Sequence, residues 1–206
     1  MPIGDYKLFI FDWDGTLSTS TMLVRASRFL QRRYNLSYIR KHFKDYEEQS
    51  RNDIKSEEEF DMIYARLYDL YSFFYKPRLQ PGAAEILKEL KKRKKLVAVF
   101  SDSERYRLIK EVRMLGLDRY VDFIISAASI GKYKPNPYGL ILIAKHFRIP
   151  RPKAIYIGDM ASDILTAKLA NMDACSVCNG IDPYRLLKEL RPKYLVSNLR
   201  EMKSLL

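Results

Sequence analysis

Phe9-Ile10-Phe11-Asp12-Trp13-Asp14-Gly15-Thr16-Leu17, near the N-terminus, is the most informative segment of the chain. Its apolar beginning predicts a buried strand, and Gly15 predicts a turn directly after that strand. Residues two apart in an extended strand point to the same face, so Asp12 and Asp14 can address one site while Trp13 points the other way. Two carboxylates this close repel each other, which favours a bound cation or a shared proton. The stretch therefore predicts a chemical site at the end of a strand.

The length and composition of the chain are those of a globular protein. Its 206 residues, of which 47% are hydrophobic, suffice for one core and a smaller inserted module. No uninterrupted apolar run reaches the ~18–20 residues that a membrane span needs. The N-terminus lacks a basic segment ahead of an apolar one, which argues against a signal peptide. We therefore expect a cytoplasmic protein without a membrane partner.

The charge of the chain is strongly positive and unevenly spread. Lysine and arginine number 37 against 25 aspartate and glutamate, a net charge of +12 that attracts anions, nucleic acid included. Seven basic residues and no acidic one lie from Thr21 to Lys44, whereas nine acidic and five basic residues lie from Asp45 to Pro81. The two segments either neutralise each other as packed helices or leave a basic face for a partner. Arg25, Arg28 and Arg32 share one helical face, which is a candidate contact for a second anionic group of a substrate.

The two cysteines, Cys175 and Cys178, have the C-x-x-C spacing of some metal and redox sites. They fall on a predicted strand, where residues three apart face opposite sides. No second cysteine pair or nearby histidine completes a metal site. We expect buried, reduced thiols.

A helical segment follows the first strand. Apolar residues recur there at helical spacing, and no strand pattern occurs between Ser18 and Leu79. The predicted helices cover Met22–Leu30, Ser37–Glu48 and Glu57–Phe74. The stretch Arg78-Leu79-Gln80-Pro81-Gly82 then predicts a boundary. We expect residues 18–80 to form a small helical insert, and residues 1–17 together with 81–206 to form the core.

From Ala83 onwards, predicted helices alternate with short, continuously apolar strands. With the first strand included, the predicted strands are Leu8–Phe11, Leu96–Phe100, Val121–Ser126, Ala154–Ile157, Ala174–Val177 and Tyr194–Val196. The predicted helices are Ala83–Lys94, Glu104–Leu115, Pro137–Phe147, Ala161–Ala170 and a terminal helix. This alternation predicts an α/β fold in which helices cover both faces of a parallel sheet. Ligands of such sheets bind beyond the carboxyl ends of the strands.

Polar residues stand where these ends are predicted. Besides the first strand, they are the run Ser101-Asp102-Ser103, the loop around Lys134, and Asp159 with Asp163. The groups are far apart along the chain. We expect the doubly wound sheet to bring them together at one edge.

In this order, the strand-end groups match the four motifs of the haloacid dehalogenase-like superfamily. The matching residues are Asp12 and Asp14 in D-x-D-G-T, Ser101 after an apolar strand, Lys134 in K-P-x-P, and Asp159 with Asp163 in G-D-x-x-x-D. The resemblance covers essentially the whole chain and implies a Rossmann-like core. The helical insert resembles the cap of the phosphoglycolate phosphatase-like branch.

The resemblance implies a Mg²⁺-dependent phosphatase that works through an aspartyl-phosphate. Asp12 would attack phosphorus, and Asp14 would protonate the leaving alkoxide and later deprotonate water. Lys134 would hold Asp12 and neutralise charge on the transferring group. The expected phosphate-binding residues are Ser101, Asp102 and Lys134, and the expected metal ligands are Asp12, Asp14 through its carbonyl, Asp159 and Asp163.

Three other functions compete with hydrolysis. A dehalogenase shares the nucleophile but lacks the second aspartate of the first motif, so Asp14 argues for phosphoryl chemistry. A phosphosugar mutase of the β-phosphoglucomutase type uses the same aspartate pair and stays open. A non-catalytic protein that binds nucleic acid or another anion through the basic insert also stays open. We expect a small phosphorylated metabolite as substrate, and a monomer or homodimer.

Overall fold

The computed structural model describes residues 1–19, 66, 68–178 and 182–206. The chain divides into two compact units, one made of Met1–Thr19 with Pro77–Leu206 and the other of Ser20–Lys76. In the second unit residues 68–74 are helical, which confirms the end of the third predicted helix. The first two predicted helices and the arginines at 25, 28 and 32 lie outside the described residues. The assignment of residues 18–80 as a helical cap stays a prediction.

A parallel sheet of six strands forms the centre of the first unit. The strands are β1 (Leu8–Phe11), β2 (Leu96–Ser101), β3 (Phe123–Ser126), β4 (Ala154–Gly158), β5 (Asp173–Val177) and β6 (Tyr194–Val196). Their order is β3-β2-β1-β4-β5-β6, and every neighbouring pair is parallel. Phe11 at the end of β1 is level with Val99 of β2 and Ile157 of β4. The residues that follow these three strands therefore share one edge of the sheet.

Helices connect the strands and cover both faces of the sheet. They are α1 (Ala83–Lys92), α2 (Arg105–Met114), α3 (Ala127–Ile130), α4 (Tyr138–His146), α5 (Ala161–Leu169), α6 (Tyr184–Glu189) and α7 (Leu199–Ser204). One apolar core joins the sheet to α1, α2 and α7, and a second joins its other face to α4, α5 and α6. The predicted Rossmann-like α/β fold is confirmed.

Two short helices escaped prediction from the sequence. The helix α3 spans four residues and α6 spans six, too few turns for a hydrophobic period to stand out. The strand β3 also begins later than predicted, at Phe123. Asp122 directly before it accepts a hydrogen bond from the amide of Val97 at 2.9 Å and binds the Lys91 ammonium at 2.6 Å.

Both cysteines are free thiols, as predicted. Cys175 lies in the core on one face of the sheet and Cys178 packs against the core on the other, as their spacing predicts. Cys175 is fully buried, and burial raises the pKa of its thiol, which keeps it protonated. Cys178 lies just past the end of β5 and is only partly buried, so the predicted burial is confirmed for Cys175 alone.

The sequence predicts no membrane-spanning segment, and the length and polarity of the helices bear on this prediction. Among the residues that the structure describes, no helix combines the length and the apolar character that crossing a bilayer requires.

Candidate active site

Lys134 lies in the loop between α3 and α4 and contacts residues from the carboxyl end of β1 and from the start of α5, which follows β4. Its ammonium donates to Oδ1 of Asp12 at 2.6 Å and to Oδ1 of Asp163 at 2.7 Å. These partners are 122 and 29 residues away along the chain. Because the Lys134 amide also donates to Asp102 after β2, the sheet brings all four strand-end groups into direct contact.

Lys134 is buried and charged. Burial lowers the pKa of its ammonium, but the carboxylates of Asp12 and Asp163 raise that pKa by a larger amount. The pKa of Lys134 therefore lies well above its ordinary value. The loop that carries Lys134 is fastened at its backbone, because the Lys134 amide donates to Oδ1 of Asp102 at 3.1 Å. A fixed positive charge therefore stands beside the Asp12 carboxylate.

An acidic group surrounds this ammonium. Asp12, Asp159 and Asp163 are all buried, and one carboxylate oxygen from each lies within 4.8 Å of the others. When ionised, three carboxylates and one ammonium carry two net negative charges out of water, which is costly unless they are balanced. Carboxylate oxygens are the ligands that hard divalent cations prefer. The group fits a divalent cation in both charge and donor type.

Within this group, the Asp163 carboxylate is held at both of its oxygens. Its Oδ1 accepts from Lys134 and from the Tyr156 hydroxyl at 3.2 Å, and its Oδ2 accepts from the Met160 amide at 2.9 Å. The Tyr156 hydroxyl also lies 3.0 Å from the carbonyl oxygen of Phe100, next to the second motif. Both oxygens of Asp163 thus have donors of this chain, an arrangement suited to orienting its neighbours.

Asp159 is held from the first-motif turn. The Thr16 hydroxyl donates to its Oδ1 at 3.1 Å. Gly15 approaches it closely, with φ at +90°, so that a Cβ built there would lie 2.4 Å from Oδ2 of Asp159. Only glycine permits both this backbone conformation and this distance.

Replacing Gly15 with Ala is expected to destabilise the protein more than replacing Gly116 with Ala. Both glycines have positive φ, so both variants carry backbone strain, but a Cβ at Gly116 meets no atom closer than 4.0 Å. The overlap with the buried Asp159 should cost about 1–3 kcal/mol more. Urea unfolding measures both free energies. Equal losses would show that Asp159 can move aside freely.

The carboxylate of Asp14 belongs to a second buried network. Its Oδ2 accepts from the Ser103 hydroxyl at 2.5 Å, and its Oδ1 accepts from the Arg107 guanidinium. Arg107 also donates through Nε to Oε1 of Glu111 at 3.0 Å, and the Trp13 indole donates to Oε2 of Glu111 at 2.6 Å. Burial lowers the pKa of Arg107, but the carboxylates of Asp14 and Glu111 raise that pKa by a larger amount. Arg107 therefore stays charged.

The remaining predicted site residues lie at the end of β2. Ser101 is buried, and its hydroxyl donates to that of Ser103 at 3.1 Å. Asp102 is exposed, and its carboxylate accepts a hydrogen bond from the Lys134 amide. The phosphate-binding roles assigned to Ser101 and Asp102 stay predictions.

Sequence reasoning missed Arg107, Glu111 and Tyr156. A signal for the first two exists, because Arg107 and Glu111 are four apart and adjoin the apolar positions Leu108 and Val112, so the pair falls on the buried stripe of α2. A charged pair on such a stripe indicates a buried polar network. For Tyr156, an aromatic residue inside an apolar strand, no comparable signal exists.

Comparison with known proteins agrees with this arrangement. The family model described as haloacid dehalogenase-like hydrolase matches residues 9–177. A phosphoglycolate phosphatase of Pseudomonas fluorescens is 26% identical over 159 residues, 76% of this chain and 56% of that protein. One from Nitrosococcus oceani is 30% identical over 128 residues, 62% of this chain and 57% of that protein. The chain thus spans less than two thirds of the length of these relatives.

A solved structure is similar to this one. A HAD family hydrolase of Deinococcus radiodurans, crystallised with bound phosphate and sodium, superposes with a TM-score of 0.69 at 21% identity and covers 98% of each chain. The family model alone spans far more than half of the sequence and includes the first-motif strand and the acidic group. The chain belongs to the haloacid dehalogenase-like hydrolases.

Proposed function

We propose that this protein hydrolyses a small phosphate monoester in a Mg²⁺-dependent reaction through an aspartyl-phosphate on Asp12. The observation that carries the proposal is the position of Asp12, whose carboxylate is held by the Lys134 ammonium inside a buried acidic group. A phosphate monoester repels nucleophiles through its own negative charge. A carboxylate can attack it only where cations offset that repulsion. This site supplies the Lys134 ammonium and has room in charge and donor type for a divalent cation.

The first step transfers the phosphoryl group to the protein. An oxygen of Asp12 forms a bond to phosphorus while the bond from phosphorus to the ester oxygen breaks. The departing oxygen takes a proton from the Asp14 carboxyl group and leaves as an alcohol. Lys134 keeps Asp12 oriented and offsets the charge that gathers on the phosphoryl oxygens.

The second step returns Asp12 to its starting state. A water molecule gives a proton to the Asp14 carboxylate and forms a bond to phosphorus, and the bond from phosphorus to Asp12 breaks. Inorganic phosphate leaves. Asp14 is then protonated again and ready for the next ester.

The remaining groups bind the phosphate and the cation. Ser101 donates its hydroxyl to a phosphoryl oxygen, and Asp102 contributes through its backbone amide, because its carboxylate would repel phosphate. Asp12, the Asp14 carbonyl and Asp159 would hold Mg²⁺, and Asp163 would orient that set. The ion, when bound, supplies further neutralisation of the phosphate charge.

The relatives and Asp14 support one substrate class. Two relatives are named phosphoglycolate phosphatases, so a small phosphorylated metabolite of that kind is the first candidate. An alkoxide leaving group needs the proton that Asp14 supplies, whereas a halide leaving group does not.

The test is phosphate release from a panel of small phosphomonoesters, with Mg²⁺ and with a chelator in its place. Turnover that needs Mg²⁺ is expected, and the ranking of kcat/KM across the panel identifies the substrate. Phosphoryl exchange between sugar phosphates without release would replace hydrolysis with mutase transfer. No phosphoryl transfer of any kind by the folded protein would overturn the proposal.

A further inference from the structure

The Asp14 carboxylate is clamped from helix α2 and the end of β2. The Arg107 guanidinium contacts its Oδ1 and the Ser103 hydroxyl contacts its Oδ2. Ser103 is itself fixed, because its carbonyl accepts from the Ser126 hydroxyl at 2.6 Å. Asp14 therefore has a donor on each carboxylate oxygen, and each donor is anchored to the sheet or to a helix.

The backbone of the same turn is tied to the same helix. The Trp13 carbonyl accepts from the amides of Thr16, Leu17 and Ser18, at 3.3, 3.0 and 2.9 Å. The Trp13 indole donates to Glu111, 98 residues away along the chain. Glu111 therefore holds the residue that precedes Asp14, while its i−4 neighbour Arg107 holds Asp14 itself.

Arg107 is placed to orient a side chain rather than to bind a substrate anion. Its Nε donates to Glu111, one Nη contacts Asp14, and the other lies 3.4 Å from the Ser103 hydroxyl. The side chain is only 10% exposed. A planar guanidinium presents its donors in a rigid fork, so three simultaneous partners fix their relative positions.

Stability alone does not account for this cluster. Arg107 and Glu111 are both buried, and moving such a pair out of water costs free energy that their attraction does not reliably repay. Apolar side chains on the same stripe of α2 would pack without that cost. Arg107 instead contacts the one carboxylate that the proposed reaction uses for proton transfer, and Glu111 holds Arg107.

We infer that Arg107 and Glu111 are positioning residues that hold the Asp14 carboxyl group in line with the departing ester oxygen. This inference rests on the function proposed above. Asp14 moves the proton in the first step, and Arg107 and Glu111 set where its oxygens lie when the bond to phosphorus breaks. They do not touch the phosphate.

The test exploits the leaving group. An alkyl phosphate leaves as a strongly basic alkoxide that needs the Asp14 proton, whereas an aryl phosphate such as p-nitrophenyl phosphate leaves as a stable phenolate that does not. The ratio of kcat/KM for the alkyl ester to that for the aryl ester is measured with Mg²⁺ present. We expect Arg107→Met and Arg107→Lys to lower this ratio at least tenfold.

Three further variants make the result specific. Arg113→Met removes an exposed arginine from the same helix and should leave the ratio unchanged. Asp14→Asn should lower the ratio, and adding Arg107→Lys to it should lower the ratio no further, because both changes remove one function. Arg107→Lys keeps a positive charge between Asp14 and Glu111, so it preserves folding should Arg107→Met not fold.

The outcomes separate this inference from the proposed function. Equal losses on both esters in Arg107→Lys would make Arg107 a merely structural residue and overturn the inference, although hydrolysis would stand. The absence of any loss on either ester would also overturn the inference. A wild-type protein that turns over neither ester would overturn both.

Discussion

Phosphate release is expected to fall by about 10⁴-fold or more when Asp12 is replaced with Asn. The amide has nearly the shape of the carboxylate but cannot attack phosphorus, so no aspartyl-phosphate forms. Initial rates on the best ester of the panel, with Mg²⁺ saturating, measure the loss. Residual activity within about tenfold of wild type would remove Asp12 from the role of nucleophile.

The matched control for Asp12→Asn is Asp118→Asn, which makes the same change at an exposed position. It should leave both turnover and stability unchanged. Asp12→Asn should fold at least as stably as wild type without Mg²⁺, because it removes one negative charge from the acidic group. Nucleic acid is the alternative ligand. If wild type and Asp12→Asn bound RNA or DNA equally and with strong salt dependence, and neither turned over an ester, a non-catalytic nucleic-acid-binding function would be favoured.

Replacing Lys134 with Met is expected to destabilise the protein without Mg²⁺ by up to about 3–5 kcal/mol. Methionine fills a similar volume but leaves the buried carboxylates of Asp12 and Asp163 without the ammonium that each contacts. Breaking a buried ion pair on one side costs far more than the pair contributes, because a charge stays buried and unbalanced. Urea unfolding in the presence of a chelator measures the difference.

Mg²⁺ should restore part of the stability that Lys134→Met loses, since a cation bound to the same carboxylates would offset their charge. Phosphate release should remain severely reduced even then, because Lys134 also orients Asp12. The control is Lys145→Met, which removes an exposed lysine and should change neither quantity. A stability loss in Lys134→Met no greater than in this control would contradict the ion-pair geometry.

The pH dependence of this stabilisation follows from the raised pKa of Lys134. Its folded pKa lies above the ordinary value of 10.5, so the contribution is fully present below that pH and is lost as pH rises through the folded pKa. The stability difference between wild type and Lys134→Met should therefore stay constant from about pH 7 to pH 10 and shrink above that range. A difference that already disappears between about pH 7 and pH 9 would contradict a buried, charged lysine.

The strands and the longer helices could be predicted because their signals are local. The strands β1 and β6 begin and end where the apolar runs predict, since a strand buried on both faces is a continuous apolar stretch. The end of β3 was also predicted, but its start was not. Asp122, which directly precedes β3, bonds Val97 of β2 through its side chain as well as its backbone amide. The helices α3 and α6 are too short to carry a period.

Local sequence patterns predict which polar groups follow the strands, and the parallel sheet that they predict brings Asp12, Lys134 and Asp163 to one edge. The contacts of each carboxylate depend on packing that local patterns do not reveal: Lys134 bridges Asp12 and Asp163, while Arg107 binds Asp14 from 93 residues away along the chain. Spacing along a strand says which face a side chain occupies. It does not say how a helix is rotated against the sheet, and that rotation, fixed by packing across the whole core, is what places Arg107 and Glu111 beside the first motif.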